Sequence, residues 1–468
     1  MLKDSEMPKK YHIEVQHTPN RYPAIGRSGI VDWGEGCLKC AQCVKQQCVY
    51  DVYRERSFSG DILADTIDAL CKSCFRCVQG CPRRLIHKAT NPEWEALGDD
   101  VYNPELISVS WAQAESGRIP VSGAGYGGAF SGPGFDSMWT DMSEIVRPTR
   151  DGIHGREYIS TIIDIGHNPP MLQFDDTGKL LTKSWPSLRV SLPVVLDVPT
   201  FGKLSSSVWK GFALAALKLE TLMVVPLSRV QELSEFSSLL VPLLENDNPD
   251  AGWIGRFRMV EIPDRDDAVE RLGILKSLKA DLLVSVRMPA LASPEVSQRV
   301  IELTRAGYDL IHLVADERGY EPGINNGLHI KDVIRKVHGA LLEARLRDEI
   351  TLMVTGGIGM AEHVIKSMLC GANLVSVDVP LLIALECRVC RNCREGGECP
   401  VHLDRSDSLW AARRIVNLMG AWHNQFLEMM GAMGIREARR LRGEQGRVMF
   451  MEDLERESFA KILTRRNS

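Results

Sequence analysis

Cysteines are the residues in this chain whose type and spacing most plainly suggest chemistry. Cys37, Cys40 and Cys43 stand three positions apart with Cys48 after them, and Cys71, Cys74 and Cys77 repeat the interval before Cys81 and Pro82. Three thiolates spaced this way in a tight turn can reach three corners of a cuboid iron–sulfur cluster, leaving the last corner to a more distant cysteine. Zinc is the alternative, because C-x2-C pairs also suit a tetrahedral ion, but zinc sites use pairs and each run here is a triplet plus one. A third group, Cys387, Cys390, Cys393 and Cys399, ends in Pro400. It suggests a further iron–sulfur cluster, and zinc stands as a rival because a single group of four cysteines can close a tetrahedron. Cys370, isolated on a helical pattern, reads as a packed apolar residue.

The second run, C-x2-C-x2-C-x3-C-P, has the spacing of bacterial dicluster ferredoxins, in which the fourth cysteine crosses to the other cluster. That crossing assigns Cys37, Cys40, Cys43 and Cys81 to one [4Fe-4S] cluster, and Cys71, Cys74, Cys77 and Cys48 to a second. The compartment must keep 13 cysteines reduced, so metal is the default reading over disulfides. The charged first eleven residues carry no apolar stretch of a secretory signal, and nothing approaches the ~20 apolar residues of a membrane span. A cytoplasmic location is expected. Lys and Arg total 56 against 61 acids, a net charge of -5, which gives no reason to expect a nucleic-acid partner.

The elements that must position these groups follow from periodicity. A chain of 468 residues, 44% hydrophobic and 25% charged, is globular and long enough for a barrel-sized core with smaller modules. From about residue 188, short β-branched runs alternate with helical patterns, the mark of repeated βα units. Strands are predicted over 190–197, 221–226, 256–262, 281–288, 308–315, 351–355 and 373–378. Helices are predicted over 205–220, 267–278, 294–306, 329–349 and 360–370. Seven strands imply an α/β fold closed as a (β/α)8 TIM-type barrel with the missing strand upstream, within 155–187; an open doubly wound sheet is the alternative. Gly356 and Gly357 fall where the penultimate strand ends, and Gly371, Ala372 and Asn373 lead into the last, positions where barrels commonly bind phosphate. Gly123 to Gly128 satisfies G-x-G-x-x-G, but Ser131 to Gly134 follows where a helix should open, so it reads as a loop. Residues 407–442 read as one or two amphipathic helices with Leu409, Ile415, Leu418 and Met419 on the apolar stripe, and the arginines of 436–442 as a solvated face. The parts are an N-terminal extension (1–30), a dicluster ferredoxin-like module (31–95), a connecting segment packed on the barrel (96–187), the barrel (188–386), the third cysteine loop (387–403) and C-terminal helices (404–468).

This order of parts resembles the FMN-binding synthase domain of glutamate synthases, particularly the compact archaeal-type large subunit with a built-in ferredoxin module. The segment from Pro199 through Phe201 and Gly202 to Ser205 resembles the family's loop under the flavin. Val284 to Arg287 matches its Val-Ser-Val-Lys strand with arginine for lysine. Gly356, Gly357, Gly371, Ala372 and Asn373 correspond to its phosphate loops, and the loop from Asp316 to Tyr320 falls at its flavin and substrate loop. Cys387, Cys393 and Cys399 align with the ligands of its [3Fe-4S] cluster. The last interval is one residue longer here and Cys390 offers a fourth ligand, so [3Fe-4S] and [4Fe-4S] both stand. The resemblance implies FMN held by these loops, with Arg287 stabilising charge on the reduced ring. It implies electrons passed from a redox partner (a ferredoxin or an NAD(P)H-oxidising flavoprotein subunit) through the clusters to FMN, which reduces the imine of 2-oxoglutarate to glutamate. Arg318, Arg147 and Arg150 are the carboxylate-binding candidates. No amidotransferase domain is present, so ammonia from glutamine would need a separate glutaminase subunit. The family's Lys-Ser-Asn-x-Gly-Glu-Gly-Gly segment has no counterpart between Val224 and Arg258. That gap favours the alternative reading, an electron-transfer subunit of a larger redox complex that has lost the glutamate site.

Overall fold

The structure, a computed structural model, describes residues 11–31, 36–56, 66–119, 132–140, 159–166, 174–181, 186–245 and 250–459. Eight parallel strands close into a barrel: β1 Val194–Leu196, β2 Met223–Pro226, β3 Leu240–Leu243, β4 Met259–Pro263, β5 Leu283–Pro289, β6 Leu310–Val314, β7 Thr351–Thr355 and β8 Leu374–Val377. Closure is made by β8 against β1, with Val375 opposite Val194. The strands read as unbroken apolar runs because both faces are covered; β7 and β8 are buried at every position. The helix Pro294–Ala306 shows how sharply the sequence punctuates these units. Ser293 caps it by accepting the Val296 N–H, and Pro294 sits in the first turn, where its missing N–H costs nothing.

The eighth strand is not upstream as expected. It is β3, whose short Leu-Val-Pro-Leu run carries Pro242, a residue that argues against a central strand. Only short helices, Leu227–Val230 and Ser234–Phe236, separate it from β2. Within the upstream region, Ile163–Gly166 pairs antiparallel with Ser187–Val190 outside the barrel. This pair closes the N-terminal end of the barrel, where Thr351 Oγ1 accepts from the Gly166 N–H at 3.0 Å and donates to the Gly166 carbonyl at 3.0 Å.

The C-terminal region forms one long helix, Ser408–Ala432, packed on the helices Ser206–Lys218 and Pro104–Ser116. Ile415, Leu418 and Met419 are buried on it, whereas Leu409 is exposed. Arg414 is fully buried there and donates to the carbonyls of Ala384, Thr18 and Trp111. The arginines beyond it are not merely solvated, since Arg439 pairs with Asp164 at 2.7 Å and Arg442 pairs with Asp348. The cysteine-rich head pairs Ser28–Val31 with His87–Thr90 and has a small core of its own around Val52, Tyr53, Cys77 and Ile86, separate from the barrel core. Among the described residues, no helix is long and apolar enough to cross a membrane.

Candidate functional site

The head folds its cysteines into two cavities. One is lined by Cys37, Cys40, Cys43 and Cys81, the other by Cys48, Cys71, Cys74 and Cys77. Each cavity therefore takes three sulfurs from one run and one from the other, the crossing expected from the spacing. The small core between them contains cysteines as packed members, so the walls of the cavities and the core of the head are the same side chains. Lys88 lines the second cavity, its Nζ donating to Cys71 Sγ at 2.7 Å. A fixed cation on a ligand sulfur favours the more negative, reduced state of a cluster. On that side Ser73 Oγ meets Ser28 Oγ of the head's strand pair at 2.8 Å, and Ile25, just before that strand, lines a cavity with Glu386, Arg388 and Val401 beside the third cysteine group.

Among the described residues, one group of potential ligands has all its atoms within 4.8 Å of one another, Asp136, Glu362 and His363, and it contains no cysteine. The three cysteine groups are thus spread wider than the single tetrahedral ion at Zn–S ~2.3 Å requires, and they suit the larger cuboid cluster. Asp136, Glu362 and His363 are a poor ligand set. The Gly359 N–H donates to His363 Nδ1 at 3.1 Å, leaving the imidazole proton on the nitrogen that faces Asp136, and Lys366 Nζ already holds Glu362 at 3.2 Å.

The C-terminal ends of the barrel strands, where barrel enzymes keep their chemistry, hold a closed polar network. Arg287 on β5 donates to Glu261 Oε1 of β4 at 2.8 Å and to both oxygens of Asp197, just past β1, at 3.0 and 3.1 Å. His312 on β6 bridges Glu261 Oε2 at 2.9 Å and Thr355 Oγ1 on β7 at 2.6 Å. Burial opposes the charged form of Arg287, yet Asp197 and Glu261 outweigh it and drive its pKa further up. Burial likewise favours neutral Glu261, but His312 and Arg287 hold it ionised. Asp378, just past β8, is pushed up to about 7 by burial, with the charge of Asp197 adding to the effect. Sequence reasoning found Arg287 and missed Asp197, Glu261, His312 and Asp378. The available signal was a charged or polar residue inside a buried apolar run, which is rare unless it is paired.

Above this network sits the third cysteine loop. Glu317, in the loop after β6, accepts from Arg391 at 2.7 Å, from Arg394 at 2.6 Å and from Thr200 Oγ1 at 3.2 Å, while Arg391 also pairs with Asp99. Phe201 lies buried beneath the two arginines. Cys387 is buried with the other three sulfurs near enough to raise its pKa beyond the effect of burial, to about 12.

The residues expected to hold the flavin phosphate are divided between the two ends of the barrel. Gly371, Ala372 and Asn373 precede β8 and so lie at the opposite end of the barrel from the mouth, where Gly371 packs on His338 and Asn373 Oδ1 accepts from Leu352 N–H and Arg347. Gly356 and Gly357 are at the mouth with positive φ of 112° and 66°. A Cβ on Gly356 would lie 2.3 Å from the Asp316 carbonyl and one on Gly357 2.7 Å from Arg318 O, so these glycines let two loops touch. Gly357 N–H bonds the Glu317 carbonyl, Gly359 N–H bonds His363 Nδ1, and Val379 N–H bonds the Asp378 carboxylate. Tyr102, fully buried against Gly359, has a hydroxyl without a partner, but the charges bearing on it include Asp378, Asp99 and Glu317. Ser205 Oγ is buried beside the mouth loop without a partner, and Gly202 turns that loop at φ 102°. Arg318 is half-exposed, 3.8 Å from Asp99. Arg147, Arg150 and the Gly123–Gly128 loop lie outside the described residues.

Residues 252–436 match the family described as the conserved region in glutamate synthase. The match is to a region of the chain rather than to the whole of it. It spans β4 to β8, the third cysteine group and the long C-terminal helix. At 24% identity, 87% of this chain aligns with 92% of the archaeal-type glutamate synthase [NADPH] of Dehalococcoides mccartyi. At 26% identity, 95% of it aligns with 96% of the archaeal glutamate synthase [NADPH] of Methanocaldococcus jannaschii. Among solved structures, a flavocytochrome b2 variant with sulfite bound covers 70% of the chain, and 91% of its own length, at 11% identity and a TM-score of 0.42. Outside the glutamate synthase region lie the cysteine-rich head and β1 to β3.

Proposed function

We propose that this chain is an iron–sulfur oxidoreductase of the glutamate synthase type that works as an electron relay: single electrons enter at the head and leave through the third cysteine site over the barrel mouth. The observation that carries this reading is the pair of head cavities, each lined by three cysteines of one run and one of the other. Cys37, Cys40, Cys43 and Cys81 would hold one [4Fe-4S] cluster, and Cys48, Cys71, Cys74 and Cys77 the second. Lys88 supports reduction of the second cluster. A one-electron donor protein is the partner this requires, inside the cell where thiols stay reduced.

FMN would convert single electrons into a hydride. Gly356 and Gly357 after β7, with Gly202 and Ser205 after β1, are the residues of this chain that would hold it at the mouth. Glutamate formation from 2-oxoglutarate and ammonia, with a separate glutaminase subunit, is the second reading. The relatives named archaeal-type glutamate synthase favour it.

Anaerobic purification of the full chain, with iron, sulfide and flavin measured on one sample, tests both. Roughly twelve irons and one FMN, with no glutamate formed from 2-oxoglutarate and ammonia, support the relay. One FMN per chain, together with glutamate made from 2-oxoglutarate and ammonia under chemical reduction, moves the conclusion to the second reading. Fewer than about eight irons would sink both.

A further inference from the structure

The third cysteine group repeats the backbone of the head. In the first run, Lys39 and Ala41, on either side of the middle cysteine Cys40, have φ of 52° and 55°. In the second run, Ser73 and Phe75 flank Cys74 with φ of 51° and 59°. In the third group, Val389 and Arg391 flank Cys390 with φ of 55° and 59°. Left-handed backbone is costly for residues with a Cβ, above all for a β-branched valine, and persists where the surroundings demand it. Here it turns successive N–H groups toward the sulfurs: the Ser73 N–H points at Cys71 Sγ and the Val389 N–H at Cys387 Sγ, both at 3.4 Å. Such concave runs of N–H groups suit an anionic cluster.

The closing cysteine is repeated as well. Arg84 N–H bonds the Cys81 carbonyl at 3.0 Å across Pro82, and His402 N–H bonds the Cys399 carbonyl at 3.1 Å across Pro400. The last residue of each turn is left-handed, Arg84 at φ 53° and His402 at φ 42°. One feature differs. The first head cavity takes its closing Cys-Pro turn from the other run, whereas the third group supplies its own within the loop.

We propose that the third site is a four-cysteine [4Fe-4S] site in which Cys390 is the ligand of the fourth iron, built on the same turn as the head clusters. A trinuclear site has no use for the left-handed residues on both sides of Cys390, which in both head runs frame a cysteine at a cavity wall.

This inference rests on the head cavities being cluster sites. The experiment is Cys390→Ser in the full chain, purified anaerobically beside the wild type, read by iron content and by low-temperature EPR and Mössbauer spectra of the oxidised and reduced states. Wild type is expected to hold about four irons at this site and to show no trinuclear signal when oxidised. Cys390→Ser is expected to lose one iron, gain the oxidised [3Fe-4S] signal and leave both head signals unchanged. A trinuclear signal in the wild type, or a Cys390→Ser variant with the wild-type spectrum, overturns the assignment, and zinc at this site overturns it too. A protein lacking the head signals altogether fails the relay reading instead, and Cys390→Ala checks that serine has not replaced sulfur as ligand.

Discussion

Asp378 is a carboxyl at the end of β8 whose pKa burial lifts to about 7, well above the usual carboxylate range. An acid with a raised folded pKa binds its proton more tightly folded than unfolded. Its burial therefore disfavours folding increasingly as pH rises from about 4 to about 7, and the full cost is present above that. Asp378→Asn keeps an oxygen for the Val379 N–H and removes the charge. It is expected to raise the urea midpoint at pH 8, by an amount worth on the order of 2–4 kcal/mol at one pKa unit per ~1.4 kcal/mol, with a smaller gain at pH 5. An equal gain at both pH values would show that ionisation is not the cause. Asp378 was legible as an exception within a strand pattern, but not its burial or its neighbour Asp197, which stands 181 residues earlier.

The loop after β6 decides how the mouth is closed. Glu317 is mostly buried and clasps Thr200, Arg391 and Arg394, so it links the end of β1, the end of β6 and the third cysteine loop. A charge-assisted hydrogen bond is worth roughly 1.5–3 kcal/mol. Glu317→Ala is expected to speed amide hydrogen exchange in residues 388–396 by about 10–100-fold, with the strands of the barrel unaffected. Unchanged exchange there would mean that Asp99 alone holds the loop through Arg391. At this scale much was readable in advance: seven of eight strands and all five long barrel helices fall where periodicity and capping put them. The eighth was hidden by Pro242, and a register partner such as Val194 for Val375 has no local signature.

Taken as a whole, the molecule has two cores of unequal strength. The barrel core runs through every strand and the C-terminal helix, whereas the head core among the described residues is Val52, Tyr53, Cys77 and Ile86 with a few apolar side chains and cysteines packed against them. A module with so little apolar core gains its stability from metal. Chelation under reducing conditions is expected to abolish the head's own unfolding transition in calorimetry while the barrel transition stays within a few degrees. One transition shifting as a unit would show that the head and barrel fold together. The sequence by itself determined the cysteine groupings and the βα alternation, because both are written in spacings of a few residues and follow from what a short turn or a 3.6-residue helix can reach. It also marked Arg287 and the glycine loops as special. Only the tertiary structure decided what these do. Arg287 meets Asp197 from 90 positions away, Arg391 meets Asp99 from 292, and the direction of β8 puts Gly371 to Asn373 at the far end of the barrel from the chemistry. Strand direction and closure are properties of the whole chain, and no window of sequence contains them.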